Sequence, residues 1–173
     1  MSTLSRVLVA AAAIALSLSS ASAGEFRMTP ERAWQFMTSN GDVFTGPTKV
    51  IYGAPFTDGK AKGLVALRHD YGHWHVSITD VHEYHCPNVY IGGDVTVLIW
   101  FSSENKSYET KWTVSADGSM VETHPHEGDA LVAKLRSSPK AVFRVIDGCD
   151  SVTDYPVTTA NLDDEIASFN AAR

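Results

Sequence analysis

From Lys49 to Val121 the chain alternates short apolar runs with clusters of Gly, Pro and Asp, a pattern that predicts strands. Lys49 to Tyr52 and Leu64 to His69 are two such runs. His73 to Thr79 alternates cleanly, which predicts Trp74, Val76 and Ile78 facing inward and His73, His75, Ser77 and Thr79 facing outward. Val95 to Phe101 is apolar at nearly every position and reads as a central strand. Thr110, Trp112 and Val114 alternate with Lys111, Thr113 and Ser115, and Asp117-Gly118 predicts a two-residue hairpin turn into Met120 and Val121.

Helical patterns bracket this core. Thr29-Pro30-Glu31 combines a capping residue, a proline tolerated in the first turn and an acid suited to the positive helix end. With Trp34, Phe36 and Met37 behind it and Gly41 as a stop, the segment predicts a short helix lying as a flap over one end of the core. Asp129 is the expected cap of a helix carrying Leu131, Val132 and Leu135, ended by Ser137-Ser138-Pro139. Ala141 to Ile146 is a further strand and Tyr155 to Thr159 a short extended piece. Asn161 then caps a last helix with Leu162, Ile166 and Phe169 spaced for one face. The expected fold is mainly β with an α+β character: an antiparallel β-sandwich or partly closed barrel with short flanking helices.

The N-terminal 23 residues follow another logic. Arg6 precedes an apolar run from Val7 to Leu18, and Ala21-Ser22-Ala23 fits a small-residue cleavage site. A spanning helix needs about 20 apolar residues, and this run is shorter. Residues 1–23 are therefore expected to be a cleavable signal peptide, and residues 24–173 a single exported β-rich domain, periplasmic or secreted, with no transmembrane segment. The chain carries 14 Lys and Arg against 20 Asp and Glu, for a formal net charge of −6. Loss of Arg6 with the leader makes the remainder more acidic still. Such a domain repels nucleic acid and anionic lipid, which are not expected partners, and export leaves an unidentified envelope protein or a small ligand as the expected partner. Cys86 and Cys149 are the two cysteines, and an even count in an exported chain reads as a disulfide. The alternatives are two free thiols or a thiol used as a metal ligand.

Candidate chemistry centres on histidine. His69, His73, His75, His82, His85, His124 and His126 are the seven histidines. His73 and His75 lie two apart on a predicted strand and share a face, and His82 and His85 could fold back to join them around Zn²⁺, Cu²⁺ or Ni²⁺. The competing reading is structural: outward strand histidines are commonly solvated, and a histidine beside tryptophan commonly packs on the ring. His124-Pro125-His126-Glu127 resembles a chelating tract but reads first as an exposed loop. His82-Glu83-Tyr84-His85 lacks the spacing of a zinc-protease helix. His69-Asp70 has the composition of a polarised base, but no nucleophile can be assigned to it. No Gly-x-Ser-x-Gly elbow, Cys-x-x-Cys pair or phosphate loop occurs, so no catalytic residue and no resident cofactor is expected. Asp163-Asp164-Glu165 sits in a helix first turn, where negative charge is favoured. Trp100 falls on the second face of its strand and is a binding patch if no helix covers it.

Tyr71-Gly72-His73-Trp74-His75-Val76 resembles the Gly-x-Trp-x-Val strand of the invasion-associated locus B family of exported bacterial proteins. Ser115-Ala116-Asp117-Gly118 followed by Asp129 to Leu135 is similar to that family's Asp-Gly turn and short helix, and Pro156-Val157-Thr158-Thr159 with the helix to Phe169 is similar to its closing elements. The resemblance spans roughly residues 70–170 and rests on packing and turn residues. Where the family often has cysteines after the Trp strand and the Asp-Gly turn, this chain has Ser77 and Ser119, so its disulfide pattern does not carry over. The resemblance implies a β-rich, non-enzymatic, periplasmic or surface-associated protein. On this reading the chain is a non-catalytic accessory or binding protein of the bacterial envelope, with a histidine-rich periplasmic metal-binding protein as the alternative.

Overall fold

A computed structural model describes residues 28–39, 48–57, 60–61, 63–79, 93–116, 118–124, 126–146 and 151–172. The leader, His82, His85, Cys86 and Cys149 lie outside the described residues, and with them the proposed bridge and half of the first ligand set.

In chain order the elements are β1 (Trp34–Ser39), β2 (Thr48–Gly53), β3 (Phe56–Thr57), β4 (Lys60–Ala61), β5 (Leu64–Asp70), β6 (His73–Thr79), β7 (Asp94–Phe101), β8 (Lys106–Val114), β9 (Met120–Thr123), α1 (Glu127–Ser137), β10 (Lys140–Ile146), β11 (Val152–Thr158) and α2 (Leu162–Ala171). Nine strands form one sheet in the order β1-β2-β5-β6-β9-β8-β7-β10-β11, and β3 pairs with β4 alone. Every pairing is antiparallel. The sheet is the β-rich, antiparallel, incompletely closed scaffold that the strand pattern predicts, with two helices against it.

Alternation builds the core. In β7, Val95, Val97, Ile99 and Phe101 are buried, and in β10 Ala141, Phe143 and Val145 match them across the ladder. Leu131, Val132 and Leu135 of α1 and Leu162, Ile166 and Phe169 of α2 join the same cluster. The second face of β7 is half-buried, with Trp100 in register with Val142 and through it with Pro156. Ser77, expected outward and exposed, is buried, because it sits mid-sheet between Ala66 and Glu122.

Three local expectations are corrected. The segment from Trp34 is a strand, not a helical flap: Thr29 to Arg32 close a turn by mutual backbone bonds, and the chain then pairs along all of β2. The ladder satisfies its backbone there, and aromatic residues suit a pleated surface. The β8–β9 connection is longer than two residues: Ser115 N–H donates to Met120 O, which leaves four positions, 116–119, between them. Finally, α1 begins at Glu127 with His126 as its cap residue, so Asp129 lies inside the first turn.

No strand ladder joins β1 to β11. Side chains bridge the gap instead. Trp34, fully buried, donates its indole N–H to Thr158 O at 2.6 Å. Asn161 caps α2 by position, but its side chain serves β1: Oδ1 accepts from Trp34 N–H at 3.2 Å and Nδ2 donates to Trp34 O at 2.8 Å. Glu165 Oε2 accepts from Phe36 N–H at 2.7 Å. Gly53 lies opposite Trp34, and a β-carbon there would stand 2.7 Å from its ring. Among the described residues no helix is long and apolar enough to cross a membrane.

Candidate functional site

β5 and β6 join through Tyr71-Gly72, both with positive φ (50° and 88°), between the paired residues Asp70 and His73. This is the backbone of a tight primed turn, for which glycine and asparagine are the usual occupants. Tyr71 is fully exposed at its tip.

From this turn β6 carries His73 and His75 up one face, as the alternation predicts, but their rings meet different partners. His73 Nδ1 lies 2.7 Å from Asp129 Oδ2 in α1. Asp129 Oδ1 accepts from Trp74 N–H at 2.8 Å. The carboxylate thus staples the first turn of α1 to the start of β6. The His73 hydrogen bond, and after it the Trp74 amide, hold the Asp129 carboxyl below the ordinary carboxylate range. Gly128 makes this approach possible, since a β-carbon there would stand 1.8 Å from Trp74 O. His126, in the left-handed region at φ 77°, places its ring edge-on to His73 with centroids 4.7 Å apart.

His75 turns the other way. Its Nδ1 is 3.8 Å from Glu122 Oε1, which also accepts from Arg68 Nη2 at 3.1 Å. Arg68 Nε is 2.5 Å from Asp70 Oδ2. On the far side of Glu122, His124 Nε2 lies 3.6 Å from Asp94 Oδ1 and its Nδ1 3.4 Å from Thr113 Oγ1. Between them lies a shallow depression of about 210 Å³, lined by His75, Thr113, Ser115, Met120, Glu122 and His124.

The structure therefore brings His73 to His126 and places His75 beside Glu122. His69 packs edge-on against Trp74 and Phe169, with centroids at 5.1 and 6.2 Å. It does not share a face with Asp70, its neighbour in the strand. Asp163 to Glu165 serve structure: Asp163 pairs with Arg136 of α1 at 2.5 Å, and Glu165 holds β1. Among the described residues, no group of three or more His, Cys, Asp or Glu is disposed to hold a metal ion together. The proximity of His126 to His73 was not drawn from the sequence. Its one local signal is His126 two residues before Gly128, the glycine that lets the helix start touch a strand.

These features define a class: a nine-stranded antiparallel sheet that does not close on itself, with two helices packed on it and histidine–carboxylate pairs along β6 and β9. A solved structure shares this fold. The chain is similar to the crystal structure of invasion associated protein B from Bartonella henselae, with a TM-score of 0.55 and 10% sequence identity, over 84% of this chain and 96% of that one. No family model matches the chain, and a comparison with curated proteins finds no significant match.

Proposed function

We propose that this protein is a non-catalytic accessory or binding protein of the bacterial envelope, exported by its leader and acting in the periplasm or after secretion. The observation that carries this reading is the fold it shares with invasion associated protein B over 96% of that chain. The pairings of the polar face also support it. Asp70 and Glu122 are held by Arg68, and Asp129 by His73 and a backbone amide. Carboxylates paired in this way give a patterned polar surface. Fractionation of cells producing the full chain, with N-terminal sequencing of the product, tests the reading. The expected product starts at Gly24 and leaves the cytoplasm, and a broad hydrolase and redox screen of it gives no turnover. Uncut protein retained in the cytoplasm, or turnover above background, overturns it.

A second reading, a histidine-rich periplasmic metal-binding protein, is favoured by one observation: two imidazoles meet at the start of α1, one of them oriented by a carboxylate.

A further inference from the structure

We propose that His73 and His126 form a two-imidazole site for a divalent transition-metal ion, with Asp129 as its positioning residue. The proposal rests on the metal-binding reading and gives it a place different from the His73, His75, His82 and His85 set.

The tautomer is the first argument. Asp129 is an acceptor, so the His73 Nδ1 at 2.7 Å carries the proton and donates. The lone pair of His73 then resides on Nε2. A carboxylate on one ring nitrogen with the metal on the other is the usual arrangement around a ligating histidine. Asp129 is itself fixed by the Trp74 amide, and Gly128 fixes the helix that carries it. The orientation of His73 is therefore built in from β6 and α1 together.

The second argument is His126. Its backbone sits in the left-handed region at φ 77°, which an L-residue adopts only at a cost. Its side chain makes no capping bond to α1, and the residue is exposed. Neither burial nor a capping bond accounts for a histidine there. The turn sets the ring 4.7 Å from His73, and an ion bound by both requires their free ring nitrogens to turn toward it. Two ligands leave the remaining coordination positions to water. The affinity is then modest, and imidazole ligands with water select Cu²⁺ over Ni²⁺ and Zn²⁺ by intrinsic order.

Titration calorimetry of the untagged protein with CuCl₂, NiCl₂ and ZnCl₂ tests this, with electron paramagnetic resonance of the Cu²⁺ form as a second readout. One Cu²⁺ per chain is expected, with hyperfine structure from two imidazole nitrogens. His126→Asn tolerates the left-handed backbone and removes the ligand, so it keeps the fold and weakens Cu²⁺ at least tenfold. His73→Ala does the same. Asp129→Asn weakens binding by about 10–100-fold yet preserves the two-nitrogen signal, which separates positioning from loss of a ligand. His75→Ala leaves binding unchanged. Binding that survives His73→Ala and His126→Asn but falls with His75→Ala overturns this site and leaves the metal-binding reading standing. Absence of any binding overturns both.

Discussion

At the residue scale, the positions that shape the face are mostly those whose role depends on a neighbour distant in sequence. Gly128 is one. In the sequence it looks like an ordinary glycine near a helix start, yet it is the point at which α1 touches the β6 backbone. Gly128→Ala forces the helix off the strand and is expected to cost about 1–3 kcal/mol, the range of overpacking at a site that cannot relax freely. Urea unfolding followed by tryptophan fluorescence measures it, and the mutant midpoint should fall without a change of slope. Asp129 teaches the same lesson. Its place before an apolar helical run reads as an N-cap, but its two oxygens go to His73 and Trp74, because β6 offers a ring nitrogen and a peptide N–H at that spot. A one-dimensional pattern locates the helix and cannot show which strand competes for its acids.

At the element scale, β2, the strands from β5 onward and both helices were legible, because alternation and helical spacing were strong there and the apolar face each pattern predicts packs on the core, with Ser77 of β6 buried on the other face as well. β1 was not. Trp34, Phe36 and Met37 fit a helical face as well as a strand, and the Thr-Pro-Glu signal ahead of them does form a turn. What decides the matter is pairing with β2 on one side and the side chains of Asn161 and Glu165 on the other. Asn161→Ala removes both partners of the Trp34 peptide and is expected to cost about 1–3 kcal/mol, the usual penalty for orphaned polar groups. Hydrogen exchange should show the β1 amides losing protection first. A second element-scale prediction concerns the β10–β11 hairpin, where Arg144 Nε and Nη2 bond Asp154 Oδ1 and Oδ2 at 2.7 and 2.8 Å. The hydrogen bond from Arg144 holds the Asp154 carboxyl below its ordinary value. A carboxyl with a depressed folded value binds fewer protons when folded, so its contribution is complete above the unfolded value of about 3.9 and is lost as pH falls through the folded one. Wild type should therefore exceed Asp154→Asn in stability at neutral pH, and the difference should shrink toward zero in unfolding curves taken below about pH 4.

At the scale of the whole molecule, the two ends of the nine-stranded sheet are joined by the Trp34 side chain, by the start of α2, and by Thr158 Oγ1, which donates to Pro30 O at 2.8 Å. Trp34→Phe keeps an aromatic ring beside Gly53 but removes the N–H that reaches Thr158. The expected loss is about 1 kcal/mol for the bond. Combined with Asn161→Ala the effects should be non-additive, because both act on the same Trp34 backbone and ring; a double-mutant cycle measures this directly.

That seam also sets an order of events. The outward amides of Trp34 and Phe36 receive their partners from positions 161 and 165, more than 120 residues further along. Until α2 is in place the outer edge of β1 keeps unpaired amides, so the first strand of the sheet is completed by the last element of the chain.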